Sequence, residues 1–455
     1  MRFPCVSFAS LAVLFLMAGC EQRGPAAPSS EPTGNTTAPP PAEHVAAPPA
    51  PVAAEKKAPE PETAKPPSAR RPMNVILLVV DAMRDDMPWN GYERPIAPNL
   101  TALHAKSVSY ERGYSISSFT SKSVAAILSG QYPSSLDRTT PFFTSYRDKT
   151  NTFMAEVLRD NGIRTLGIQA HMYLKEKSGM HQGFDDWRMV PGIEWDPNKD
   201  PYITSPQHTA TVIDQLSDPK NVGGKFFAYY HYMDPHDIYN SHEAAPKWGT
   251  SPRDLYDEEM WFTDLHIQKA LDFVASQPWG KDTAIIVTGD HGEAFGEHGF
   301  YRHARHLYEV LIRVPLFVHI PGVEPRKIAR WRSHIDLVPT VYDLMGVTIP
   351  EGLPGTSLLP EILGEDVPQR PIVADLPADN INTRRRVLID DGHKLVAHGQ
   401  DVRFEMYDVR EDPGETKNLI RQDKERANTL RARYREVSGA IPFKKAKGGP
   451  AVKAD

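Results

Sequence analysis

The apolar residues of this chain rarely alternate with polar ones; they come in short unbroken runs that end on a polar side chain. Residues 74–81 read Asn-Val-Ile-Leu-Leu-Val-Val-Asp, and comparable runs occupy 163–169, 225–231, 283–290, 314–320 and 371–375. A strand that is apolar on both faces needs cover on both, which is the position of a central strand in a parallel sheet. Helical spacing fills the intervals at 99–105, 151–161, 254–277 and 334–345. The second of these opens on Asn151 and stops at Gly162, residues suited to a helix start and a helix end. The alternation predicts an α/β fold, a doubly wound, mostly parallel central sheet flanked by helices. Beyond about residue 352 the strands shorten to 386–389, 394–397 and 404–407, with Asp390-Asp391-Gly392 as a turn. They predict a small C-terminal antiparallel sheet, closed by a charged helix over 418–437.

In such sheets ligands collect beyond the carboxyl ends of the strands. Asp81 ends one strand, Asp290-His291 ends another, and His231, Asp234 and His236 follow a third, so the pattern predicts one shared site. Asp81 alone also suits a helix cap. Asp290-His291 offers two ligands from one turn, and Gly292 lets the backbone approach a cation. Carboxylates favour Ca²⁺, Mg²⁺ or Mn²⁺, and imidazole admits Zn²⁺. Thr120 precedes a helix expected over 121–128, whose N-terminal N–H groups and dipole suit a phosphate or sulfate. Thr120 there is either a plain cap or a nucleophile whose hydroxyl pKa a bound metal would lower. His231, His236, His298, His303 and His306 offer hydrogen-bond donors, one of which could protonate a leaving oxygen. His236, after the Asp234-Pro235 turn, suits that role better than His231. His298 and His303 follow the Asp290-His291 turn closely.

Composition narrows the chemistry. The only cysteines are Cys5 and Cys20, both near the N-terminus, so no sulfur nucleophile is available elsewhere. Arg2, an apolar run over 8–17 and Ala18-Gly19-Cys20 read as an export signal, too short for a membrane span of about 20 residues. The small-small-Cys ending is a lipobox, which makes Cys20 the expected lipidation site and predicts an exported protein anchored to a bacterial membrane, facing periplasm or exterior. The Pro- and Ala-rich segment 20–72 is expected to be a disordered tether. The net charge is −6 and the basic clusters lack interleaved aromatics, which argues against nucleic acid. No obligate protein partner is indicated. The expected organisation is a signal peptide over 1–19, the tether over 20–72, a catalytic domain over 73–350, a completing subdomain over 351–440 and a disordered tail over 441–455.

Asp81, Thr120, His236, Asp290-His291-Gly292-Glu293 and Gly296-Glu297-His298-Gly299 stand in an order that resembles the sulfatase family of the alkaline-phosphatase superfamily. The likeness runs over about 73–436 and takes in Leu307-Tyr308-Glu309 and Asp412-Pro413-Gly414-Glu415. It implies an alkaline-phosphatase-like fold and one divalent ion (Ca, Mn, Mg or Zn) held by Asp81, Asp290, His291 and the nucleophile. It also implies a sulfate-contacting His236 and a basic residue at His303. Three departures stand out. Thr120, Lys122 and Val124 occupy the family's Cys-x-Pro-x-Arg positions, Ala82 replaces a second aspartate, and the expected lysine near Ala170 is missing, with His171 as a substitute. A formylglycine made from cysteine is therefore excluded. The resemblance implies a metal-dependent hydrolase of sulfate or phosphate esters that uses Thr120, with His236 and His303 catalytic and His171, His231, His298 and Lys122 contacting substrate. A small molecule or a glycan or lipid ester is the expected substrate. Two alternatives stay open: a phospho-group transferase on envelope lipid or glycan, and a catalytically silent binding lipoprotein.

Overall fold

The computed structural model describes residues 71–139, 144–146, 150–193, 203–379 and 382–447. The signal, the tether and Cys20 lie outside the described residues, as does the tail from 448 onward. The strands are β1 (Asn74–Val80), β2 (Val108–Tyr114), β3 (Arg164–Gln169), β4 (Asp186–Met189), β5 (Phe226–Tyr232), β6 (Thr283–Gly289), the hairpin β7 (Ala294–Phe295) and β8 (Tyr301–Arg302), β9 (Arg313–Val314), β10 (Leu316–His319) and β11 (Arg326–Ser333). The central sheet has the order β11-β2-β10-β6-β1-β5-β3-β4, with β9 attached to β2. All seven residues of β1 are buried, and β1 runs parallel to both neighbours. Its unbroken apolar run follows from cover on both faces. Val75, Leu77 and Val79 pack with Val124 and Leu128 on one side, and Ile76, Leu78 and Val80 with Val212, Met260 and Ile267 on the other.

The mostly parallel expectation holds with three adjustments. The 314–320 run supplies β10, which is antiparallel to both β2 and β6. The 371–375 run lies outside the central sheet: β12 (Ile372–Leu376) begins a separate antiparallel sheet with β13 (Arg385–Asp390), β14 (His393–His398) and β15 (Arg403–Asp408). The central sheet also contains β2, β4 and β11, whose interleaved polar residues mask the strand signal. The helix expected from Asn151 is Met154–Asp160, capped at Phe153, because the Asn151 amide is spent on the carbonyls of Asp137 and Tyr146. The long helix Pro252–Ser276 starts on a Ser251/Asp254 capping box.

The helix Lys424–Gly439 packs on β13 and β14, burying Ala427, Leu430 and Tyr434 against Leu388 and Leu395. The first residues of the expected tail are tied down, Lys444 N donating to Ser134 O and Lys447 N to Arg138 O. Among the described residues no helix is long and apolar enough to cross a membrane.

Strand register builds the site. Val80 lies opposite Tyr232 and Gly289, and Gln169 lies opposite His231. Asp81, Asp290 and His171 therefore follow β1, β6 and β3 at one edge of the sheet, with His231 on β5 between β1 and β3.

Candidate metal centre and active site

Asp81, Asp290 and His291 are fully buried, and one ligand atom from each falls within 4.8 Å of the others, a group that could hold a metal ion. His291 Nε2 lies 3.6 Å from an oxygen of Asp81 and 3.6 Å from Asp290 Oδ2. Its other ring nitrogen, Nδ1, donates to the Gly292 carbonyl at 2.9 Å. That bond fixes the tautomer and leaves Nε2 with its lone pair facing the carboxylates. Burial pushes the His291 pKa down to about 4, against the pull of Asp290, so the ring is neutral at pH 7. Burial opposes ionisation of Asp290, but His291, His231 and the Ala82 N–H outweigh it and hold its pKa below the usual carboxylate range. The Ala82 N–H bonds Asp290 Oδ1 at 3.1 Å, from a residue at φ 56°, a left-handed conformation costly for alanine. Ala82 thus serves the site through its backbone.

Thr120 is the first residue of the helix Thr120–Ser129, whose cap is Phe119 without a side-chain bond. Freed from capping, Thr120 Oγ1 sits 3.1 Å from His291 Nε2. Ser123, one turn on, donates to the Asp290 carbonyl. The start of this helix is thereby pinned against the Asp290-His291 turn.

Four imidazoles line the same edge in sequence: ring centroids are 5.0 Å apart for His171–His236, 4.9 Å for His236–His303 and 4.3 Å for His303–His291. His171 Nδ1 accepts from Tyr173 N at 3.1 Å, so its proton is on Nε2, 3.9 Å from Asp81 Oδ2. Its pKa is pushed well below the usual value by burial, reinforced by His236 and His231. His231 Nε2 lies 3.7 Å from Asp81 and 3.8 Å from Asp290. For His303, burial is outweighed by Glu293, whose carboxylate is 3.1 Å from Nδ1, and the pKa rises.

The structure thus gathers Asp81, Thr120, Asp290, His291, His171, His231, His236 and His303 at one place. His298 and Lys122 are elsewhere. His298 stacks on Tyr308 with ring centroids 3.8 Å apart. Lys122 is buried, lies over Phe119 and pairs with Asp379 of the C-terminal segment. Asp234 caps the helix Ser205–Ser217 through the Thr204 and Ser205 N–H groups. Glu293 is the residue that sequence reasoning passed over. It is fully buried, accepts from Tyr239 at 2.7 Å and orients His303. Its position two residues after His291 was the available signal.

This is an α/β protein in which a hydroxyl at a helix start faces two carboxylates and a neutral imidazole that could hold a metal ion. The chain belongs to the sulfatase family: the Sulfatase family model matches residues 73–347, and the model of the N-sulphoglucosamine sulphohydrolase C-terminal region matches 296–438. Among relatives, the Delta 4,5-hexuronate-2-O-sulfatase of Bacteroides thetaiotaomicron is 27% identical over 166 residues, 35% of this chain and 34% of the relative. The chain spans about a third of the length of the curated relatives it matches. Among solved structures, a 2-O GAG sulfatase shares the fold with a TM-score of 0.69 at 16% identity, over 82% of this chain and 92% of that one. The phosphonate monoester hydrolase SpPMH from Silicibacter pomeroyi gives a TM-score of 0.64 at 20% identity, over 82% of this chain and 96% of that one.

Proposed function

We propose that the protein is a metal-dependent hydrolase of sulfate or phosphate esters in which Thr120 is the nucleophile. The observation that carries the reading is Thr120 Oγ1 at 3.1 Å from the lone-pair nitrogen of His291, beside Asp81 and Asp290. The residues fit a divalent ion: two buried carboxylates and a neutral imidazole whose orientation is set from behind by Gly292. Such an ion, when bound, lowers the pKa of the threonine hydroxyl and offsets the charge of the ester anion.

Thr120 Oγ passes its proton to water and bonds to phosphorus or sulfur while the ester bond to the alcohol breaks and the departing oxygen takes up a proton from solvent. The N-terminal end of the helix Thr120–Ser129, with the positive end of its dipole, favours the anion there. The edge formed by His236 and His303 is where the departing oxygen's charge is met. Water then attacks the same phosphorus or sulfur, cleaving the bond to Thr120, and the proton that the water gives up restores the hydroxyl. A threonine ester carries no second hydroxyl on its carbon, so it is resolved by attack of water at the central atom. The relatives' names supply both classes, sulfate esters and a phosphonate monoester.

The test is a panel of aryl sulfates, phosphomonoesters, phosphodiesters and phosphonates assayed with the full chain after chelation and metal reloading. Turnover that requires metal and disappears in Thr120→Ala is expected; full turnover by Thr120→Ala on the best substrate overturns the nucleophile. Export and anchoring at Cys20 belong to the same reading, supported by the lipobox alone. Mass spectrometry of the mature N-terminus should find an acylated Cys20, and an unmodified one would reject the anchor.

A further inference from the structure

A cavity of about 350 Å³ opens beside the edge formed by His236 and His303. Ile238 and Tyr239 line it from the segment after β5, Pro252 and Leu255 from the start of the long helix, and Phe295 and Tyr301 from the hairpin β7–β8. We propose that this cavity holds the alcohol portion of the ester, and that the alcohol is an uncharged, hydrocarbon-rich one rather than a sugar or a charged headgroup. The inference rests on the ester-hydrolase reading with Thr120 as nucleophile and names the substrate class for it.

Position is the first argument. The cavity and the catalytic edge are built from the same short stretches: Asp237 follows His236, Arg302 precedes His303, and Ala294 follows Glu293. Tyr239 on the cavity wall donates to Glu293 at 2.7 Å, and Glu293 in turn orients His303. An in-line displacement carries the departing oxygen to the side opposite the nucleophile. From Thr120, which meets His291, the imidazoles run through His303 to His236. The departing oxygen, with the carbon it bears, therefore leaves toward the cavity.

The chemistry of the wall is the second. Ile238 and Tyr301 are 48% and 64% exposed, two of six large apolar side chains that the described residues leave so open. Single exposed apolar residues are ordinary, whereas two on one cavity next to a catalytic edge are what a binding site presents. The Tyr239 hydroxyl is spent on Glu293, which leaves the ring as lining. Phe295 is fixed by the Tyr239 and Tyr256 rings, with centroids 5.7 and 5.2 Å away, and by the guanidinium groups of Arg84 and Arg253 over its face, so this wall is preformed. Among the described residues the only charges on the wall are Asp237 and Arg302, which pair with each other at 2.8 Å. A sugar's hydroxyls or an ammonium headgroup would lose water there without gaining partners, while a hydrocarbon group gains by leaving water.

The experiment is a series of para-alkylphenyl esters, from methyl to pentyl, of whichever acid the substrate panel shows to be cleaved. These phenols are almost equally acidic, so bond breaking is held constant while the apolar group grows. The full chain is assayed beside Ile238→Ser, Tyr301→Ser and a control, Val402→Ser, an exposed apolar residue in the turn between β14 and β15. Thermal unfolding of each variant serves as the folding check. The expected result is a kcat/KM that rises about threefold per methylene in the wild type and the control until the cavity is full, with the rise largely lost in the two cavity variants. A flat series in the wild type overturns the cavity's role and leaves Thr120 as the nucleophile untouched. So does a rise that survives in both cavity variants or is lost equally in the control. Cleavage of no ester in the panel overturns the hydrolase reading itself, and the cavity's assignment falls with it.

Discussion

Thr120 shows how a sequence position gains a role from what its neighbours decline to do. Its hydroxyl would ordinarily cap the helix, but Phe119 takes the cap position and leaves the oxygen 3.1 Å from His291 Nε2. Thr120→Ala should therefore cut kcat by on the order of 10³-fold or more, while Thr120→Ser retains part of it. Unchanged melting of the Ala variant would locate the effect in chemistry. Glu293 is a different case. Its buried carboxylate steers His303 and Tyr239, so Glu293→Gln should lower activity about 10–100-fold, with metal affinity measured alongside. Wild-type rates in that variant would reject the positioning role. Asp81, Asp290, His291 and Thr120 were legible because each ends or begins an element whose pattern is strong. Lys122 was expected at the site from its place in the family's pattern, and His298 because it follows the Asp290-His291 turn closely. Two residues along a helix turn a side chain by about 200°, which carries Lys122 away from Thr120 toward Asp379.

At the scale of elements, strands buried along their whole length declared themselves and those with interleaved polar residues did not. β1, β5 and β6 are buried along their whole length and read as unbroken apolar runs. β2 carries Ser109, Glu111 and Arg112 in its seven residues; Arg112 reaches the Val409 carbonyl, a partner no local pattern reveals. Gly292 was expected to let the backbone approach a cation, and what the structure shows at this position is tight packing. A Cβ there would stand 2.1 Å from the Val310 carbonyl, while the glycine's own carbonyl anchors His291. Gly292→Ala should thus weaken metal binding even though it removes no ligand, measurable as a rise in the metal dissociation constant; unchanged affinity would show that the backbone there yields. The helix Ser205–Ser217 brings a pH dependence with it. His208 is fully buried, 4.0 Å from the Tyr232 ring centroid, and burial, with His231, lowers its pKa to about 3. The folded state thus refuses a proton that the unfolded chain accepts near pH 6.5. His208's contribution is complete above that pH and shrinks as the pH falls toward 3. Urea midpoints should show wild type losing about 2–3 kcal/mol more than His208→Leu between about pH 7 and 4.5. Parallel pH profiles for the two proteins would contradict this.

The whole molecule ties its C-terminal sheet to the nucleophile's helix through a buried ion pair. Lys122 of Thr120–Ser129 is 1% exposed and Asp379, which follows β12, is 7% exposed. Around them Phe119 packs with Ile372, Leu376 and Val387, and Ala126 with Val373 and Leu388. The helix that presents Thr120 is thus clamped between the Asp290-His291 turn and a sheet built 250 residues later, and no local reading of the sequence links the two. Burial pulls the Lys122 pKa down while Asp379 opposes the shift, so the pair stands or falls together. Removing Asp379 leaves an ammonium buried without its counterion, and Asp379→Ala should cost about 3–5 kcal/mol. Lys122→Met, which removes the ammonium and keeps an apolar stem over Phe119, should cost distinctly less even though Asp379 loses a partner, because Asp379 also accepts from the Asn382 N–H at 2.7 Å. Denaturant unfolding of both variants measures the asymmetry, and KM separates structure from binding. A Lys122→Met enzyme with wild-type KM places Lys122 in the framework; a KM raised tenfold at unchanged stability would return it to the substrate.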